Sequence, residues 1–315
     1  MKLEQYTSLN EKDCFFNRTT INTAKQFDTL IGHKTFDENT IFRGVKESKF
    51  KLYSSAQRLW ISMDFALRNR KFTDLISESL NEISKNRSLN LYLSSNGIQT
   101  NDLYRLVFLQ HYSGATPLID FTSNKLISFF FGLEGLDISP WGFDGIDNYF
   151  SIYALNYIKI PKIDEIYFYG MENGKQALKE NQKEYPNLDI DASILENFEK
   201  FTKWLNGINC LHLAYLPNPL KAKKTRNIQN KTLYWSNPNL IAQDGCFILN
   251  NDDMQPLERS MSADFNTLIQ CFDVHKSLRG YIKEAYLKNI DRKYLFPDFY
   301  QIGKDIKNHL INTFI

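Results

Sequence analysis

The sequence predicts an α+β protein: a single mixed domain with a central sheet and peripheral helices. Three observations lead there. Short β-branched and aromatic stretches are interleaved with helical apolar stripes, without the regular strand–helix–strand rhythm of a parallel sheet. Of 315 residues, 43% are hydrophobic and 23% charged, the balance of a globular chain. The 24 Phe, 17 Tyr and 4 Trp carry enough apolar surface to exclude a disordered one.

The first forty residues are polar and aperiodic, with Phe15, Phe16, Phe27 and Leu30 as scattered anchors, and read as a lead-in segment packed on something else. Residues 40–45, Thr-Ile-Phe-Arg-Gly-Val, form a short strand. Ala56, Leu59, Trp60, Met63, Ala66 and Leu67 recur at helical spacing, with Ser54 or Ser55 as the N-cap. Ile76, Leu80 and Ile83 place a second helix over 74–85. A third follows Asn101, and its apolar stripe of Leu103, Leu106 and Val107 runs on into Gln110 and His111. Ser113-Gly114 breaks it.

Residues 117–121 read as a buried strand, and Thr122 or Ser123 as the cap of an apolar helix over 125–133. Residues 149–155 form an aromatic and β-branched strand, and 165–169 a further one. Ile194, Leu195, Phe198, Phe201, Trp204 and Leu205 share one face of a helix stopped by Gly207. Residues 210–216 are strand-like and 221–226 a basic loop. Residues 240–249 read as an apolar strand interrupted by Gln243 and Gly245. Helices follow around Leu278, Ile282 and Ala285, and around Phe299, Ile302, Ile306 and Leu310, the second capped by Asp298.

Lys plus Arg number 38 and Asp plus Glu 36, so the charge is near balance and a DNA-coating role is disfavoured. The longest apolar run, 126–133, is far short of the roughly 20 residues a bilayer span needs, so no membrane partner is expected. The first residues lack the apolar core of a secretory signal. Cys14, Cys210, Cys246 and Cys271 make no CxxC pair. Cys210-x-His212 is too weak a signal to imply a metal, and none is expected. A reducing, cytoplasmic setting fits.

Standard nucleotide, protease and esterase motifs are absent. What stands out is polar residues inside apolar stretches, where an unpartnered polar group is costly. Arg43 ends a strand, where a guanidinium can pair with a carboxylate such as Asp120 or grip a phosphate. Gly44 lets a ligand or another backbone approach closely. Gln110, His111 and Asp120 need partners, Asp120 from Arg43, Arg58 or His111. Thr122 and Ser123 sit at a helix start, where free N–H groups cap or bind anions. Gln243 can hold an amide or a ribose hydroxyl. Arg43, Arg58, His111, Asp120, Thr122, Ser123 and Gln243 are therefore expected around one pocket.

These residues fall in a recognisable order. Ile41-Phe42-Arg43-Gly44 resembles the signature of the FRG-domain family, and Ser55-Ala56-Gln57-Arg58 its following Ser-x-x-Arg. Residues 109–124 resemble its central block, Gln243-x-Gly245-x-Phe247 its late motif, and Leu295-Phe296-Pro297-Asp298 its closing one. The resemblance implies an FRG domain over 41–315 behind an N-terminal extension over 1–40. In this chain Ser113 splits Tyr112 from Gly114, Phe121 replaces Trp, and Pro117 and Asn239 stand where cations are usual.

A weaker similarity, to ADP-ribosyltransferases of the Arg-Ser-Glu type, runs through the aromatic-Arg-Gly strand, the Asp120–Ser123 strand end, the helix after it and the 149–155 strand. It implies a split central sheet and an enzyme using NAD or a related nucleotide, of the kind found among bacterial toxins and defence effectors. The acceptor would be a protein or a nucleic acid. On that mapping Gln243, His111 and Ser123 are catalytic, with Gln243 on the strand that bears the usual Glu. Arg43, Gly44, Arg58, Gln110, Asp120 and Thr122 hold the nucleotide. No Glu lies two residues past Gln243, because Gly245 stands there. A noncatalytic nucleotide- or nucleic-acid-binding module on the same fold is the other implied reading.

Overall fold

The structure, a computed structural model, describes residues 2–32, 36–95, 102–112, 114–136, 145–158, 160, 213–216, 237–260 and 269–298. The strand expected over 165–169, the helix over 191–205, the basic loop over 221–226 and the last helix from 299 lie outside them.

Among the described residues the strands are β1 Asn17–Ile21, β2 Thr40–Val45, β3 Leu118–Thr122, β4 Tyr149–Asn156, β5 Leu213–Leu216, β6 Gly245–Asn250 and β7 Ile269–His275. They form one seven-stranded sheet in the order β1-β7-β4-β2-β3-β6-β5. β1 pairs with β7 in parallel and every other pair is antiparallel. The helices are α1 Leu9–Lys12, α2 Ala24–Gly32, α3 Ser55–Ser62, α4 Phe72–Ser84, α5 Arg87–Ser95, α6 Asp102–His111, α7 Lys125–Leu133, α8 Pro238–Ala242, α9 Leu257–Ser260, α10 Arg279–Tyr286 and α11 Arg292–Leu295. The fold is α+β, as the mixed order of elements predicts.

The sheet separates three apolar clusters. Strand alternation puts Phe42, Phe150, Ile152 and Val274 on one face, packed against Phe129 and Leu133 of α7 and Phe27 of α2. Farther along that face, Leu118, Phe247 and Leu249 pack against Trp60, Ile76, Leu80, Leu93 and Leu106 from α3 to α6. The opposite face buries Ile41, Tyr153, Ile119, Phe121, Cys246 and Cys271 with Tyr6, Phe16 and Leu52.

Several elements differ from expectation for local reasons. The lead-in segment supplies an edge strand, β1, whose pattern was hidden because only Ile21 is buried. The helix expected to reach Leu67 stops at Ser62, and a 3₁₀ turn over Phe65–Arg68 follows, bounded by Asp64 and Asn69 in the left-handed region. At its start Ser54 accepts from the Gln57 N–H, and the Gln57 side chain accepts from the Ser54 N–H, a reciprocal cap. Neither Thr122 nor Ser123 caps α7: Asn124 does, its Oδ1 accepting from the Leu126 N–H.

The stretch expected as one strand over 240–249 is a helix followed by a strand. Asn237 caps α8, Pro238 opens it, and Asp244, at φ 46°, turns the chain into β6. Gln243 therefore sits at a helix C-terminus and not on a strand.

Candidate functional site

The sheet opens where β2 meets β3. β2 and β4 pair along six residues, but β2 and β3 share a single register pair, Phe42 with Thr122. Beyond it the strands diverge, and a cavity of about 370 Å³ lies between them under the C-terminus of α6. That volume is at the small end of the roughly 300–1,000 Å³ typical of small-molecule sites. Arg43, Gly44, Gln110, His111, Asp120, Thr122 and Gln243 all line it, with Lys46 and the rings of Phe42, Phe121, Phe131 and Phe296. Positions two hundred residues apart thus converge.

Arg43 bridges the gap. Its Nη1 donates to the Asp120 carbonyl at 2.6 Å and lies 3.8 Å from the Asp120 carboxylate. Its Nε is buried with no hydrogen-bond partner. Burial pushes the Arg43 guanidinium below its ordinary pKa, the Asp120 carboxylate opposes that, and Arg58 adds to it. An arginine stays charged through such a shift.

The Asp120 carboxylate forms the expected ion pair with Arg43, but its hydrogen bond comes from Gln110 and not from Arg58 or His111: Gln110 Nε2 donates to its Oδ2 at 2.6 Å. The amide is oriented by the Thr116 hydroxyl, which donates to Gln110 Oε1. Thr116 is in turn held by Ser55, whose Oγ accepts from the Thr116 N–H at 2.9 Å. In the sequence Thr116 is marked only by being a hydroxyl two residues before a buried strand. The Asp120 side chain remains 46% exposed, and it is the one carboxylate in the lining among the described residues.

His111 packs edge-on against Phe247, ring centroids 5.6 Å apart, and its Nε2 is buried without a partner. Burial lowers its pKa, with the Asp120 charge pulling the other way. The folded protein thus takes a proton on His111 less readily than the unfolded chain, whose imidazole titrates near about pH 6.5. Because the folded pKa is depressed, stability is full above that value and falls as pH drops through it towards the folded pKa. His111→Gln is therefore expected to flatten the loss of stability between about pH 7 and 5. Denaturant titrations of both proteins at each pH check this, and equal slopes would contradict it.

Gly44, expected to admit a ligand or a backbone, admits a backbone. A Cβ there would meet Ser128 O at 1.9 Å and Gly132 N at 2.6 Å, both in α7. Thr122 Oγ1 donates to the Gln243 carbonyl at 2.7 Å, fixing the turn before β6. The Gln243 amide, 7% exposed, donates to the Leu295 carbonyl at 3.0 Å. Two expected members lie outside the lining. Ser123 serves the Asp244 turn, its N–H donating to the Asp244 carbonyl at 3.1 Å. Arg58 Nη1 donates to the Tyr53 carbonyl at 2.8 Å, and its charge acts on the site through Asp120.

Among the described residues, no group of three or more His, Cys, Asp or Glu side chains is placed to hold a metal, and no helix is long and apolar enough to cross a membrane. Fold and cleft together define a mixed α+β protein with a polar site at an opening in its sheet. Residues 38–137, which carry Arg43, Gln110, His111 and Asp120, match the family model of the FRG domain, and the chain contains that domain. The late motifs around Gln243 and Phe296 lie beyond the match. No curated protein and no solved structure matches the chain.

Proposed function

We propose that the cleft between β2 and β3 is a nucleotide site, and that the protein is an ADP-ribosyltransferase-like enzyme with NAD or a related nucleotide as substrate. The observation that carries this is a pair of buried atoms, Arg43 Nε and His111 Nε2, without a hydrogen-bond partner among the described residues, in side chains that line one cavity. A buried polar atom without a partner costs about 1–3 kcal/mol, which a ligand that bonds it recovers. Arg43 and Lys46 supply positive charge for a phosphate, and the Arg43 fork suits its paired oxygens. Asp120 and neutral His111 offer an acceptor and a ring nitrogen to sugar hydroxyls or a base amide. A toxin or defence role, with a protein or nucleic acid as acceptor, follows from the family likeness and has no support of its own in the cleft.

A second reading, a binding module without turnover, is favoured by Gln243, whose amide is spent on Leu295 and which carries no charge. Calorimetric titration with NAD tests the site itself. The wild type is expected to bind, and Arg43→Lys to lose about tenfold or more, because Lys keeps the charge without the fork or the Nε–H. Equal affinity in Arg43→Lys, with melting curves that overlay, would make Arg43 a structural ion-pair residue.

A further inference from the structure

The geometry points to Asp120 as the carboxylate that acts on the substrate, and to cationic N-ribosides such as NAD⁺ as the substrate class. The inference rests on the nucleotide reading above and adds the reaction to it. Gln243, at the position where the transferase likeness expects chemistry, is engaged with the Leu295 carbonyl and is uncharged. Asp120 differs on every count. Among the described residues it is the one acidic residue lining the cavity, about half of its side chain is open, and its Oδ1 makes no hydrogen bond. Its Oδ2 is held by Gln110, which Thr116 holds in turn, so the free oxygen is aimed by a fixed chain of side chains.

The chemistry follows from charge. In a pyridinium riboside the bond between ribose C1′ and the ring nitrogen breaks, and its electron pair stays with the nitrogen, so nicotinamide leaves neutral. The positive charge moves to C1′ and the ring oxygen of the ribose. A carboxylate beside that position stabilises the transition state more than the ground state, because the charge comes nearer to it as the bond opens. Water, or an acceptor nucleophile, then adds at C1′ and releases its proton to solvent. The balance with water is NAD⁺ and water giving ADP-ribose, nicotinamide and a proton. The Arg43 guanidinium lies 3.8 Å from Oδ2, the oxygen that Gln110 also holds, and leaves Oδ1 to face the substrate.

The test measures nicotinamide release and NAD⁺ binding separately on wild type, Asp120→Asn and Asp120→Glu. Asp120→Asn is near-isosteric and can still accept from Gln110. It is expected to lose about 100-fold or more in release, the scale for removing one charge-stabilising group, and far less in NAD⁺ binding, because the charge reaches the carboxylate fully only as the bond opens. Asp120→Glu, which keeps the charge, is expected to retain more turnover than Asp120→Asn. Release by Asp120→Asn at the wild-type rate would overturn the role of Asp120 and leave the nucleotide site standing. Wild-type protein that binds NAD⁺ but releases no nicotinamide would overturn the role and favour the binding module. Wild-type protein that binds no NAD⁺ would overturn the site reading itself. Should Asp120→Asn fail to fold, NADH decides: its neutral dihydropyridine gives Asp120 no cation to face. Tighter binding of NAD⁺ than NADH by the wild type supports the inference, and equal affinity overturns it.

Discussion

Gly44→Ala is expected to destabilise the protein by about 3 kcal/mol or more, at the upper end of what overpacking costs. The atoms a methyl group would strike are the Ser128 carbonyl and the Gly132 N–H, both backbone, so no side-chain rotation relieves the clash. Either α7 lifts off β2 or the strand shifts, and Phe129 and Leu133 lose their seat on Phe42 and Ile152. Gly280→Ala is the control. Nothing lies within 4 Å of a methyl group there, inside α10, so that change is expected to be neutral or stabilising by up to about 1 kcal/mol. Thermal and denaturant unfolding of both variants checks the pair. A Gly44→Ala protein as stable as the wild type would mean that α7 packs more loosely on β2, and the cleft wall with it.

Lys12→Met is the second large effect. Lys12 and Asp273 are both fully buried, and Nζ lies 2.5 Å from Oδ1. The same oxygen accepts from Ser151 at 2.6 Å and Ser48 at 2.9 Å. Removing the ammonium leaves a buried carboxylate, which costs about 3–5 kcal/mol when one partner of such a pair is deleted. Arg18, with Nη1 3.7 Å from the other oxygen, holds the loss to the lower end. Lys12→Met with Asp273→Leu is expected to recover most of it, since the pair as a whole contributes little beyond its own desolvation. A loss below about 1 kcal/mol in the single variant would show that Arg18 alone neutralises Asp273.

This buried pair also shows what could be read from the sequence and what could not. Lys12 and Asp273 are 261 positions apart, and nothing near Lys12 marks it as buried. The edge strand after it buries only Ile21, so it lacks the run of buried, largely apolar residues that reveals β2 and β4. α4 was legible because Ile76, Leu80 and Ile83 repeat at helical spacing against one core. The gathering of Arg43, Gln110, His111, Asp120, Thr122 and Gln243 was legible for a different reason: a polar residue inside an apolar run has to find a partner. Which partner each takes was not legible. Gln110 reaches Asp120 because Thr116 turns its amide, and Gln243 turns to Leu295 because Asn237 and Pro238 start a helix where the apolar run suggests a strand. Both are tertiary choices among chemically equivalent options.

The proposed nucleotide site between β2 and β3 is tested directly by a crystal structure of the protein soaked with NAD. The expected result is a phosphate against the Arg43 guanidinium, with Nε hydrogen-bonded, and the nicotinamide ribose beside Asp120. A second groove offers the contrary result. It is larger, about 1090 Å³, and runs between Ile83, Leu89, Phe108 and Tyr112 on one side and Pro238 and Phe296 on the other. Among the described residues, none of those lining it has a buried polar atom without a partner. NAD ordered in that groove, with Arg43 Nε and His111 Nε2 still unbonded, would contradict the account.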